Sequence, residues 1–313
     1  MTRLPLASGG LDRAAYRRRD PGWLTEAWSR SRVLVLSGGK ALVTGEGGQD
    51  DKIELALCGP ADVPADAERS FLGVDGGGVP YFAAVAPLPH LDGTRPRELR
   101  EVGHVLGDRD GCLFATGLAL TGWHSRSRYS PVSGKPTAPA EAGWTRVTAD
   151  AGETLWPRTD PAAIVLVHDG QAGPAGRCLL ARNAAWPLAD GLPRYSCLAG
   201  FVEPGESAEQ AVVREVQEEI GLVVREVRYV ASQPWPFPGS LMLGFLARAD
   251  PAMPVIPDQE EITDARWFTR TEISAALAGE PADFGLPMGL SIARYLMARW
   301  ETAATEAAPP TPA

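Results

Sequence analysis

Glu215, Glu218 and Glu219 fall at i, i+3 and i+4 in a stretch with helical periodicity, so their carboxylates converge on one face. Like charges placed this way repel by a few tenths of a kcal/mol per exposed pair. A divalent cation reverses that sign, because hard ions such as Mg²⁺ and Mn²⁺ take carboxylate oxygens as ligands. Arg214 stands beside the first of the three and is able to orient one of them or to steady Glu206 further back. A solvated acidic helix face has the same composition, and three glutamates alone do not exclude it.

The surrounding residues decide between the two readings. The stretch from Gly200 to Leu222 reads as a loop, a capped helix and a stop. Ser207 followed by Gln210 forms a capping box, and Gly221 just past Ile220 suits the left-handed residue that ends a helix. Val212, Val216 and Ile220 make a stripe able to bury against a sheet, which predicts a helix over Ala208–Ile220. A second phrase follows, Ser232-Gln-Pro-Trp-Pro-Phe-Pro-Gly-Ser240-Leu-Met242. Its alternating prolines exclude a helix or a central strand and predict a rigid extended loop presenting Gln233, Trp235, Phe237 and Ser240. Rigid aromatics of this kind stack on nucleobases, although Trp235 and Phe237 would serve equally as core anchors.

The first stretch resembles the Nudix box at every fixed position: Gly200, Glu206, Arg214-Glu215, Glu218-Glu219 and Gly221, with apolar residues at Val216 and Leu222. The second resembles the S-Q-P-W-P-F-P-x-S signature of the NADH pyrophosphatase (NudC-type) branch of the Nudix hydrolases. The similarity extends back through Pro157–Pro161 and forward to Glu261–Trp267 and Ala293-Arg294. The resemblance implies a Nudix α/β/α sandwich with a mixed sheet, in which Glu215, Glu218 and Glu219 bind Mg²⁺ or Mn²⁺. It implies that Glu261 helps to hold metal or position water, that Glu206 supports the site, and that one of the box glutamates is the general base. It further implies that Phe201 stacks on a base and that Gln233, Trp235, Ser240, Met242 and Ala293 line the dinucleotide pocket. The implied activity is metal-dependent hydrolysis of NAD(H) to NMN(H) and AMP, with removal of NAD caps from RNA 5′ ends, by a homodimer sharing each site. A diphosphatase for ADP-ribose or another dinucleotide is the alternative enzyme. A non-catalytic NAD sensor is disfavoured, because lost activity usually accompanies a degraded box.

The chain departs from that family in one place. Its members usually carry a zinc ribbon of two Cys-x-x-Cys pairs, and those positions fall here on Ser130, Ser133, Thr148 and Ala151. None supplies a thiolate, so no structural zinc is expected. The ribbon's shape is expected to rest on packing by Trp144 and Trp156, with His124 as a lone structural histidine.

Around these motifs the chain is an ordinary globular α/β protein of 313 residues, long enough for two domains. Residues 1–128 read as an N-terminal α/β domain for packing or dimerisation. Its strands are expected at Arg32–Ser37, Lys40–Thr44 and Ile53–Cys58, its turns at Gly38-Gly39 and Gly47-Gly48, and Asp110 is expected to cap a helix running to Trp123. Residues 129–157 read as a linker on the degenerate ribbon. Residues 158–302 form the catalytic domain, with strands at Ile164–His168, Arg177–Arg182, Val227–Ala231 and Ser240–Ala247 and a last helix over Gly289–Trp300. An Ala/Pro/Thr-rich tail, 303–313, is expected to be disordered. The net charge of −9 argues against a broad nucleic-acid-binding surface, though not against an enzyme acting on one end of an RNA. With no apolar span, no secretory h-region after Met1 and four scattered cysteines, a reduced cytoplasmic protein is expected.

Overall fold

The computed structural model describes residues 3–45, 52–188 and 191–303. The expected Gly47-Gly48 turn and nearly all of the expected tail lie outside them. The chain divides into two compact units: Pro5–Thr159 with Pro234–Ser240, and Asp160–Gln233 with Leu241 onward and the N-terminal residues to Leu4. Among the described residues no helix is long and apolar enough to cross a membrane.

The N-terminal unit opens on α1 (Pro21–Ser29), which has proline in its first turn and the Asp20 carboxylate accepting the Trp23 amide at 2.9 Å. Strands β1 (Arg32–Leu36) and β2 (Lys40–Thr44) fall where the apolar runs predict them. Gly38 and Gly39, at φ 56° and 81°, form the tight turn between them, closed by two 3.0 Å bonds between Ser37 and Lys40. Strand β3 (Glu54–Leu55) is shorter than the expected Ile53–Cys58, because Cys58 leaves it to bridge Val33. With β4 (Glu68–Val74), β5 (Pro80–Val85) and β6 (Arg95–Glu98), the strands form two three-stranded sheets ordered β1-β5-β4 and β3-β2-β6. The first is mixed, with β1 parallel and β4 antiparallel to β5. Helix α2 (Leu99–Val102) precedes the long α3 (Asp108–Arg126).

The expected role of Asp110 is corrected. Gly107 is the N-cap, and Asp110 lies buried in the first turn of α3. Its carboxylate accepts the Leu55 amide at 2.8 Å and the Arg109 guanidinium at 2.8 Å, so it fixes β3 rather than capping. A buried carboxylate needs such donors, and the helix N-terminus adds a favourable field.

The stretch that composition reads as a linker is folded. Strands β7 (Thr137–Ala140), β8 (Thr145–Thr148) and β9 (Thr154–Leu155) make a small antiparallel sheet. At its first corner buried Ser130 accepts the Val132 and Ser133 amides at 3.1 and 3.2 Å and donates to the Glu153 carboxylate. At the second, buried Thr148 donates to Asp150 at 2.6 Å and accepts the Glu153 amide at 3.1 Å, while Lys135 meets Asp150 at 2.6 Å. The corners that would carry thiolates are therefore tied by hydroxyls and carboxylates. Of the two tryptophans expected to hold this shape, Trp156 is 69% exposed and holds nothing. Trp144 donates to the Phe71 carbonyl at 2.6 Å under the Arg18 guanidinium, 3.7 Å from the ring centre. His124 is buried and neutral: its Nε2 meets the Gly143 carbonyl at 2.9 Å, Arg146 donates to Nδ1 at 3.0 Å, and burial pushes its pKa down. Ser130→Ala strands several of these groups and should lower stability by about 1–3 kcal/mol in denaturant unfolding. An unchanged unfolding midpoint would show that the clasp is idle. Metal analysis of protein purified without added zinc should find less than stoichiometric zinc.

The second unit is a sheet between helices. Its six strands are β10 (Asp160–His168), β11 (Arg177–Asn183), β12 (Leu198–Phe201), β13 (Arg225–Trp235), β14 (Ser240–Arg248) and β15 (Ile262–Thr269). The order is β13-β14-β10-β11-β15, with β12 also on β10. Alternation along the strands sends side chains to two cores. Ala163, Val165, Val167, Leu179 and Phe245 meet Val212, Val216 and Ile220 of α4 (Ala208–Ile220). Ile164, Leu166, Leu180, Leu246 and Phe268 meet Ile273 of α5 (Arg270–Ala278) and Leu296, Met297 and Trp300 of α6 (Ile292–Thr302). The Pro-rich phrase is corrected from loop to strand as far as Trp235. Pro234 sits in edge strand β13, which pairs on one side only, a position where proline is tolerated.

Candidate active site

Helix α4 is built as its sequence requires. Ser207 Oγ accepts the Gln210 amide at 3.2 Å, Gln210 Oε1 accepts the Ser207 amide at 2.8 Å, and Gly221 ends the helix at φ 72°. The buried stripe of Val212, Val216 and Ile220 fixes the rotation about the helix axis. The three glutamates are thereby graded in burial. Glu218 is mostly exposed, the Glu215 carboxylate is largely covered, and Glu219 is only 4% exposed.

Arg214 gathers the entry side of the site. It grips Glu206 with two bonds, Nε to Oε1 at 2.9 Å and Nη2 to Oε2 at 3.0 Å. Nη2 also reaches the Phe201 carbonyl at 2.9 Å, and Nη1 donates to Glu215 at 2.8 Å and Glu218 at 3.1 Å. These bonds raise its pKa further above the ordinary guanidinium value, with Glu206 the largest cause. The same clamp and the Glu203 amide hold Glu206 below the usual carboxylate range. Glu206 in turn accepts the Glu203 amide at 3.1 Å, which closes the loop before α4.

Gly200 on β12 lies under Glu215. A Cβ there would come within 1.9 Å of Glu215 Oε1 and 2.0 Å of its carboxyl carbon. Gly200→Ala must therefore displace that carboxylate, and a displacement of this size should cost roughly a hundredfold in kcat. Rates of the purified variant, with its thermal midpoint unchanged, would check this; a wild-type kcat would mean that the Glu215 position is unimportant.

On the far side, the segment before β15 is laced to the end of α4. The Ile256 amide donates to Ile220 O at 2.9 Å and the Asp258 amide to Glu219 O at 3.0 Å. Asp258 Oδ1 accepts the amides of Glu260, Glu261 and Ile262 at 3.1, 3.1 and 2.8 Å. Asn183 donates from Nδ2 to Glu261 Oε1 at 3.0 Å. Sequence reasoning missed Asn183 and Asp258. Asp258 has a local signal, an Asx turn four residues before the start of β15, whereas Asn183 is brought in only by the β11–β15 pairing.

Burial and neighbours push Glu219 up to about 9: desolvation is the first cause, followed by Glu261, Glu215, Asp258 and Glu218. Burial also raises Glu215, partly offset by Arg214. Glu219 Oε2 is buried with no hydrogen-bond partner. Several carboxylates facing one another around an orphaned buried oxygen form the donor set that a hard divalent cation neutralises. As the side chains stand, no three acidic, histidine or cysteine groups among the described residues meet at ligating spacing. Arg214 draws Glu215 and Glu218 toward itself instead.

The residues expected to bind substrate are placed differently from one another. Phe201 is 59% exposed at the end of β12, beside the Arg214 clamp. Met242 is partly buried against the core under α6. Gln233 and Ala293, expected in the pocket wall, are fully buried. Gln233 donates to Leu290 O at 2.8 Å and accepts the Ile292 amide at 2.9 Å, so it caps the start of α6, and the Ala293 methyl fills the core beside it. Trp235 and Ser240 belong with the N-terminal unit, where the Trp235 ring meets Phe237 edge-on at 5.0 Å.

The sequence matches the NUDIX domain family over residues 158–286 and the NADH pyrophosphatase-like rudimentary NUDIX domain over residues 30–123. It is 44% identical over 317 aligned positions to the NAD-capped RNA hydrolase NudC of Mycobacterium bovis, covering 95% of each chain. The NAD-capped RNA hydrolase NudC of Mycobacterium tuberculosis is 43% identical over the same share of both chains. The NAD-capped RNA hydrolase NUDT12 of Homo sapiens is 39% identical over 62% of this chain and 42% of that one. A box intact at every fixed position, set on a capped helix against a sheet, agrees with these similarities, and the chain belongs to the NADH pyrophosphatase and NAD-capped RNA hydrolase (NudC-type) family of Nudix hydrolases.

Proposed function

We infer that this chain hydrolyses the diphosphate of NAD(H) to NMN(H) and AMP and removes NAD caps from RNA 5′ ends. The observation that carries the reading is the carboxylate cluster around buried Glu219, joined to near-full-length similarity to NAD-capped RNA hydrolases. Glu215, Glu218, Glu219 and Glu261 would hold Mg²⁺ or Mn²⁺, which would supply neutralisation of pyrophosphate charge and a lowered pKa for an attacking water. Arg214 and Glu206 fix the carboxylates on the box side, and Asn183 and Asp258 fix Glu261 on the other. One of the box glutamates takes the proton from water, and Phe201 stacks on a base of the substrate. Trp235, Ser240 and Met242 select the dinucleotide. The protein acts as a homodimer in a reduced cytoplasm and needs no structural zinc.

Parallel rates for NADH, NAD⁺, ADP-ribose and NAD-capped RNA, with Mg²⁺ or Mn²⁺ and products identified by mass, test this reading. NMNH and AMP are the expected fastest products. Faster cleavage of ADP-ribose would overturn the substrate and keep the chemistry, and no cleavage of any of the four would overturn both.

A further inference from the structure

The N-terminal unit contains a cavity of about 540 Å³ whose lining includes none of the box glutamates. Its volume falls within the ~300–1,000 Å³ of small-molecule sites. Arg100, Arg126 and Arg128 line it, and none of the three forms an ion pair among the described residues. This is unusual in a chain of net charge −9, where carboxylates outnumber cations. Glu68 and Glu98 also line the cavity, so three positive charges face two negative ones. Glu98 acts on Arg100, whereas the field of Glu68 falls on Arg146 and His124.

Much of the rest of the wall is apolar, with Thr121 and Ser125 as polar exceptions. Leu36, Val85 and Leu118 face the cavity beside Phe237. Arg100 lies 3.9 Å from the centre of the Phe237 ring and 5.4 Å from that of Trp235. Stacking of this kind orders a guanidinium in advance and leaves its N–H edge free for an anion. Gly38 and Gly39 form part of the rim, and a Cβ at either would meet open space, so the backbone there is accessible to a ligand. Burial lowers the Arg100 pKa, and a partly buried guanidinium makes stronger charge-assisted bonds than one in water.

We propose that this cavity is a second nucleotide site, separate from the box, in which Arg100, Arg126 and Arg128 bind a phosphate while the apolar wall takes the base. The ligand is a phosphate-bearing nucleotide, either free or as one residue of an RNA strand. The site stands on the N-terminal unit alone and does not rest on the proposed activity.

Binding is measured with EDTA present, so that nothing is hydrolysed, using AMP by calorimetry and a labelled 5′-phosphorylated hexa-adenylate RNA by anisotropy. The wild-type full chain is compared with Arg126→Gln/Arg128→Gln. Both positions are exposed, and an unchanged thermal midpoint confirms folding. Loss of two charge-assisted contacts should weaken binding by at least about tenfold, while kcat and KM for NADH stay at wild-type values. Weakened AMP binding assigns the site to free nucleotide, and weakened RNA binding alone assigns it to a strand. Equal affinity of both proteins for both probes, or no binding of either probe, overturns the proposal.

Discussion

Glu219→Gln should lower kcat roughly 10³-fold or more while leaving the fold intact, because it removes a charged metal ligand without changing shape. The same variant should be the more stable protein without metal. Glu219 is buried among Glu261, Glu215, Asp258 and Glu218, and its folded pKa is pushed up to about 9 against an ordinary 4.5. A group whose folded pKa is raised contributes fully below its unfolded pKa and loses that contribution as pH rises toward the folded one. Metal-free wild-type protein should therefore fall behind the glutamine variant progressively between about pH 4.5 and 9. Mg²⁺ or Mn²⁺ should restore the wild type and leave the variant unmoved. Thermal unfolding across that range, with and without metal, gives the readout. A near-normal kcat would remove Glu219 from the site, and a stability gap independent of pH would remove the carboxylate-cluster argument.

Arg214→Lys should cost roughly a hundredfold in kcat although the charge is kept. One planar guanidinium makes two bonds to Glu206 and one each to Phe201 O, Glu215 and Glu218. A single ammonium cannot reproduce that fork. Glu206→Gln acts on the same contact, so the double variant should be little worse than the poorer single one. Full additivity of the two losses would mean that Arg214 and Glu206 act separately, and a wild-type rate in the lysine variant would make the clamp dispensable.

Much of the site was legible in the chain. The helix bounds Ala208–Ile220 follow from a capping box, an apolar stripe and a terminal glycine, all local signals, and the structure reproduces them to the residue. Strand β2 is equally exact for the same kind of reason. The harder parts depend on partners far away in sequence. Strands β12 and β15 have weak local patterns and gain their order from pairing with β10 and β11. The ribbon read as a linker because its small polar residues are also turn residues, and only their mutual hydrogen bonds make them a sheet.

The sequence by itself determined the chemistry: box glutamates at one-face spacing, an arginine beside them, and a family phrase that names a dinucleotide. Those features are local, so spacing and cap residues suffice to express them. Only the tertiary structure decided how the carboxylates differ. Rotation of α4 against the sheet buries Glu219 and leaves Glu218 in solvent, and the antiparallel pairing of β11 with β15 brings Asn183 to Glu261. Folding also buried Gln233 against the start of α6, where its amide bonds the Leu290 carbonyl and the Ile292 amide, since an unpaired buried amide would be costly. Burial and field depend on what the chain folds against, and no spacing rule carries that information.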